Sequence, residues 1–209
     1  MENQESKGQV CDVAKSLEND LVKIGDIPEM TAVLGKPFPL VLTPRSEKVN
    51  FVQLQEYCQK NHEAIIKAAS LYGAVMFKGF EIVTGEEWAS VLYQSSLKEM
   101  NYVGGAAVRK LIIGTEGVLE DPQVLTTNES PPSEPIPFHH ELAQTPDPPS
   151  HICFYCSANA AEGGSTPLIR SDQVYNWLLE KYPQFMEQIE QLGCKYVRTV
   201  PEVDDPSSA

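Results

Sequence analysis

Residues 136–144 read IPFHHELAQ, and the layout of this stretch decides what the rest of the chain can be. Two adjacent histidines and a glutamate stand in a proline-studded region of an acidic chain with four histidines in all. On an extended segment side chains alternate faces, so residues two apart project together and immediate neighbours diverge. His139 and Glu141 are therefore the pair that can converge, and His140 points the other way. One imidazole nitrogen and one carboxylate are two of the three ligands of the 2-His-1-carboxylate facial triad, whose open positions suit Fe(II) and dioxygen. His-x-Glu also arises as a plain polar strand end, so the flanking text has to decide. A mononuclear zinc site built on both His139 and His140 is disfavoured, because adjacent strand residues diverge and no further ligand stands nearby.

Outward from that stretch, residues 102–170 hold glycine pairs, seven prolines between positions 131 and 149, and the short apolar bursts KLIIG, QVLTT, HICFYC and TPLI. This is the text of a β-rich core with long loops. Upstream, FPLVLTP predicts a short strand. Residues 50–71 carry Val52, Leu54, Cys58, Ile65, Ile66 and Leu71 as an imperfect helical stripe that ends at Tyr72-Gly73. His62, on a polar part of that helix, reads as a solvated histidine. AVMFKGF is a strand by composition, and Thr84 with Glu87 forms a capping box that opens the helix EEWASVLYQSSL. Downstream, Ser171 is expected to cap DQVYNWLLEKY, Pro183 suits the first turn of QFMEQIEQL, which stops at Gly193, and KYVRTV reads as a last strand.

The chain has 209 residues, 42% of them hydrophobic, enough for one globular domain. Residues 1–30 are polar, with only a weak helical pattern at Val13, Leu17, Leu21 and Val22. They read as a variable arm, loosely packed before about Gly25, ahead of a domain spanning 31–209. Sixteen basic against 29 acidic residues give a formal charge of -13, a surface that repels phosphate backbones and anionic membranes. No apolar run has the length to span a bilayer, and Met1 to Asp20 lacks the basic start and apolar middle of a secretion signal. A cytoplasmic protein with neither nucleic-acid nor membrane partners is expected. Five cysteines, an odd set, fit free thiols in a reducing compartment. Cys153 and Cys156, three apart on an apolar strand, are read as small buried hydrophobes on opposite faces in preference to half of a metal or redox site.

The passage TNESPPSEPIPFHHELAQ, followed by CFYC and then by 162-EGGSTPL-168, resembles the taurine dioxygenase-like family of Fe(II)/2-oxoglutarate oxygenases, and within it the plant branch of clavaminate synthase-like proteins. The resemblance runs from about Pro37 onward, through YVGGAA at 102–107 to DDPSS near the end. It implies an α+β fold with a double-stranded β-helix, a jelly-roll or cupin-like core, and flanking helices. It implies His139 and Glu141 as iron ligands, Thr166 on a carboxylate of 2-oxoglutarate, and Asn128 and Tyr102 as weaker candidates near the mouth of the barrel. The chemistry of Thr166 agrees, since a threonine just past a glycine pair offers a compact donor to an anion.

The same resemblance calls for a distal histidine as third iron ligand and an arginine for the far carboxylate of the cosubstrate. No histidine follows His151, a position that is not a ligand in the family, and Arg170 and Arg198 are the arginines after Thr166. The chain thus reads as the N-terminal portion of an oxygenase that acts on a small molecule, impaired as it stands and incomplete at its C-terminus. The alternative is a non-catalytic binding or regulatory fragment that takes a partner chain at the unclosed sheet.

Overall fold

The computed structural model describes residues 12–47, 49–93, 97–100, 102, 109–115, 123–127 and 135–197. Within them the best-packed unit is a three-stranded sheet with one long helix against it. Strand β1 (Val22–Gly25) pairs antiparallel with β4 (Leu40–Pro44), and β4 pairs parallel with β5 (Val75–Phe77). Between β1 and β4 lies a hairpin of β2 (Thr31–Val33) and β3 (Lys36–Phe38). Its two-residue turn has positive φ at both Leu34 (51°) and Gly35 (73°), the geometry that matches the twist of the flanking strands and that leucine rarely adopts.

Parallel strands need a crossover, and α1 (Phe51–Tyr72) supplies it. Asn50 and Gln53 form a reciprocal capping box at its start. Leu54, Tyr57 and Cys58, and one face further on Ala68 and Tyr72, are buried at helical spacing. The helix kinks at Asn61 (φ -111°, ψ 15°), whose side-chain amide donates to the Tyr57 carbonyl at 2.8 Å, one turn back. It ends at Gly73 with φ 84°. A Cβ there would meet Arg170 Cγ at 3.0 Å and Phe38 Cε2 at 3.2 Å, so the position needs glycine for space as well as for backbone.

The core gathers Leu17, Val22, Leu40, Leu42, Leu54, Tyr57 and Tyr72. Residues 12–25 therefore depart from the loose arm expected of them. A helical turn over 12–16 leads to Leu17 and Val22, both 0% exposed, and the Tyr57 hydroxyl donates to the Leu17 carbonyl at 2.6 Å. Few apolar residues lie here, but β1 pairs with β4 and carries them inside. Residues 1–11 lie outside the described set.

After β5 the capping box forms as expected: the Glu87 N–H donates to Thr84 Oγ1 at 3.2 Å and the Thr84 N–H to Glu87 Oε2 at 3.3 Å, opening α2 (Gly85–Tyr93). From there the structure is less regular than the β-rich text suggested. KLIIG and QVLTT yield only a short antiparallel pair, β6 (Leu111–Ile113) and β7 (Val124–Leu125). HICFYC is not a strand, because no strand runs beside it among the described residues; Tyr155 anchors it, stacked on Trp88 at 5.8 Å and donating its hydroxyl to the Ile82 carbonyl. TPLI and residues 195–197 of the expected last strand are irregular too, and 198–200 are not described. The described strands form sheets of three, two and two, and no closed barrel.

Helices α3 (Ser171–Lys181) and α4 (Pro183–Leu192) form where the sequence placed them, with Pro183 in the first turn of α4 and Gly193 at its end. Ser171 does not cap α3: the cap position is Arg170, and the Ser171 hydroxyl is engaged by His140. Arg170 is itself buried, donates to the Leu71 carbonyl near the end of α1, and pairs with Asp172. That guanidinium holds the Asp172 carboxyl below the usual carboxylate range.

If residues 12–25 are packed as described, Leu17→Ala should lower the unfolding free energy by about 2–5 kcal/mol, the usual cost of emptying a buried leucine site. Urea unfolding followed by circular dichroism measures it, and a variant indistinguishable from wild type would mean that the segment is peripheral.

Candidate functional site

The residues singled out from the sequence lie on irregular backbone. His139 and His140 sit in an exposed stretch without regular structure, and Glu141 opens a turn over residues 141–144. The alternation expected of an extended strand therefore does not govern them, and each of the three side chains has its own partner. The His139 Nδ1–H donates to the Pro137 carbonyl at 2.8 Å. His140 Nε2 lies 2.7 Å from the Ser171 hydroxyl. Glu141 Oε2 accepts from Arg109 Nη2 at 3.0 Å.

The His139 contact fixes more than a rotamer. A carbonyl can only accept, so Nδ1 carries the proton, and in the neutral ring Nε2 keeps a lone pair. A backbone carbonyl on one ring nitrogen is the arrangement by which proteins commonly orient a metal-binding histidine. Glu141 differs from the two exposed histidines before it in being half-buried, and among the described residues its ion pair is the one with both partners well covered, the side chains 14% (Arg109) and 16% (Glu141) exposed.

Arg109 escaped notice in the sequence. It precedes β6, and its Nη1 donates to the carbonyls of Thr126 (3.0 Å) and Thr127 while its guanidinium lies 4.9 Å from the centroid of the Tyr102 ring. Burial pulls its pKa down, but hydrogen bonding to Tyr102 and attraction from Glu141 outweigh that and leave the net shift upward. Tyr102 thus seats an arginine that grips Glu141. The only available signal was the basic pair Arg109-Lys110 between a glycine-rich passage and a short apolar run, and the partner of Arg109 stands 32 positions away.

Thr166 lies on exposed, irregular backbone after Gly163 and Gly164, both at φ 69°. Among the described residues no hydrogen bond joins the side chains of His139, Glu141 and Thr166, and no group of three or more His, Cys, Asp or Glu is placed to hold a metal ion. Asn128 and most of the YVGGAA passage lie outside the described residues. His151 is exposed, with Nδ1 3.0 Å from the Ser150 hydroxyl, and His62 is a half-buried residue of α1 whose Nδ1 lies 3.0 Å from the Gln59 carbonyl. Cys153 and Cys156 are exposed and not buried as expected, because among the described residues no sheet covers the segment that carries them; Cys156 Sγ turns to the Ala158 carbonyl and to Asn159 Oδ1. The buried thiol is Cys58, on α1.

Comparison with known proteins places the chain. The sequence model of the family "Taurine catabolism dioxygenase TauD, TfdA family" matches residues 36–206. A clavaminate synthase-like protein of Arabidopsis thaliana is 36% identical over 187 residues, which is 87% of this chain and 54% of that protein. The dapdiamide synthesis protein DdaC of Enterobacter agglomerans is 27% identical over 138 residues, 66% of this chain and 39% of that protein. The chain spans about half the length, or less, of these relatives.

The thiols give a direct check on this packing. Burial pushes the Cys58 thiol up to about 12, so it is protonated and unreactive in the folded protein, whereas Cys156 and Cys194 are open to solvent. At pH 8, iodoacetamide should modify Cys156 and Cys194 and spare Cys58 until denaturant is added, as peptide mass spectrometry would read. Because the raised group binds its proton more tightly when folded, stability should fall as pH rises from the ordinary thiol range toward 12.

Proposed function

The chain belongs to the TauD/TfdA family, and from that premise we propose that it carries the metal- and cosubstrate-binding half of a non-haem Fe(II), 2-oxoglutarate-dependent oxygenase acting on a small molecule. The observation that carries this reading is the state of His139: its Nδ1–H is taken by a backbone carbonyl, which leaves Nε2 as the free donor, two residues before a half-buried carboxylate. A borderline nitrogen donor beside a hard oxygen donor is the set that non-haem Fe(II) accepts. The residues present fit the ion in kind, and supply two of its three protein ligands.

In this mechanism His139 would hold the iron through Nε2 and Glu141 through a carboxylate oxygen, while the Thr166 hydroxyl would donate to a carboxylate of 2-oxoglutarate. When bound, the iron and its cosubstrate supply the oxidation of a substrate C–H bond by dioxygen, chemistry that the polypeptide positions and does not itself perform. The chain's own contribution is orientation. Pro137 fixes the His139 ring, and the β6–β7 pair would be part of the double-stranded β-helix that the family builds. No described helix is long and apolar enough to cross a membrane.

A second reading has an observation of its own. Phe138, Phe154, Trp177, Phe185 and Leu192 are exposed, Leu192 by 82%, and α3 buries none of its residues. Such a surface would suit a fragment that docks on another chain and performs no turnover.

With two ligands present, Mn(II) as a redox-silent probe should bind weakly but measurably. His139→Ala should weaken it roughly tenfold or more, as loss of ligands and their supports does. With Fe(II), ascorbate and dioxygen supplied, succinate release from 2-oxoglutarate by the purified chain should stay near background. Unchanged Mn(II) affinity in His139→Ala would remove the ligand assignment. Robust succinate formation lost in His139→Ala would show that another residue of this chain, His151 being the candidate, completes the centre.

A further inference from the structure

We propose that Arg109 is a positioning residue for Glu141, holding one carboxylate oxygen so that only the other is offered to a divalent cation. This rests on the ligand reading of Glu141 given above and adds to it a residue and a mode of binding.

The guanidinium is placed by the backbone around β6 and β7. Lys110 and Thr126 are cross-bonded, the Thr126 N–H donating to the Lys110 carbonyl at 2.9 Å and the Lys110 N–H to Thr126 Oγ1 at 3.0 Å. That fixes the carbonyls of Thr126 and Thr127, and Arg109 Nη1 donates to both. The Tyr102 ring supports the planar group at 4.9 Å. With Nη1 committed to carbonyls, Nη2 is the group that reaches Glu141, and it takes Oε2. Oε1 has no hydrogen-bond partner among the described residues.

A carboxylate with one oxygen held in a charge-assisted bond favours giving a metal its other oxygen, because the held oxygen has part of its lone-pair capacity and its orientation committed. That matters for a centre that must keep positions open for two further reactants, since a bidentate carboxylate would use one of them. The fork geometry is what allows it: a guanidinium can serve two carbonyls and a carboxylate at once, whereas a lysine ammonium is a point charge that cannot hold the same angles. The opposite effect is also physically possible, because a cation beside a metal site repels the metal. The sign of the mutational effect therefore decides between a support and a competitor.

The test is Mn(II) binding to the full 209-residue chain, read from the electron paramagnetic resonance signal of the free ion, with thermal unfolding recorded for every variant. Arg109→Gln should weaken binding roughly 10- to 100-fold, the range typical of residues that orient metal ligands. In the Glu141→Ala background the same change should have no further effect, which a merely structural role would not produce. Arg109→Lys should recover only part of the affinity, and it carries the test if Arg109→Gln fails to fold. Tighter or unchanged binding in the Arg109 variants, or an equal loss with Glu141 absent, would overturn the proposal. If His139→Ala and Glu141→Ala also leave affinity unchanged, the ligand reading falls and this proposal with it; if those two weaken binding and the Arg109 variants do not, only the role of Arg109 is lost.

Discussion

Two parallel strands cannot be joined by a tight turn, and the pairing of β4 with β5 is therefore the constraint on which the ordered part of this protein depends. The chain must travel the length of the sheet and return, and α1 makes that journey with one face apolar. Once the helix lies there, Leu40 and Leu42 on the sheet meet Leu54, Tyr57 and Tyr72 on the helix. The antiparallel addition of β1 brings Leu17 and Val22 into the same core. The Tyr57 hydroxyl closes the arrangement by donating to the Leu17 carbonyl, so a polar group that burial would otherwise penalise becomes the link between helix and N-terminal segment.

The second half is held differently. Its helices bury little; Tyr155 on Trp88 and the Ile82 carbonyl, and Arg170 on the Leu71 carbonyl, tie it to the first half, while Arg109 joins the β6–β7 pair to Glu141 within it. Two of these are guanidiniums that satisfy backbone carbonyls and one carboxylate each. The candidate site belongs to this sparsely packed half, and what order it has comes from directed hydrogen bonds more than from apolar burial. That division fits proteins in which a compact scaffold carries functional groups on loops.

What was legible in the sequence was local. The Thr84–Glu87 capping box, the glycine that ends α1, and Pro183 at the start of α4 act within a few residues of where they stand, and each formed as read. What was not legible depended on distant partners. Leu17 and Val22 looked like scattered apolar residues until β4 lay beside β1. HICFYC had the composition of a strand but no neighbour to pair with among the described residues, which also left its thiols exposed. Ser171 was read as a cap, yet His140 took its hydroxyl. His139 and Glu141 were found from spacing and resemblance, while Arg109, the residue that holds Glu141, left no local trace because the ion pair bridges 32 positions.

The central claim is that His139, Glu141 and Thr166 surround one metal and its cosubstrate. The most direct measurement is paramagnetic broadening of backbone amide resonances in the full chain, titrated with substoichiometric Mn(II) in the presence of 2-oxoglutarate. The account predicts that the amides around 139–141 and 164–167 broaden first and together, ahead of the acidic surface of α2 and α4. Broadening that starts at those acidic helices and spares 139–141 would contradict it.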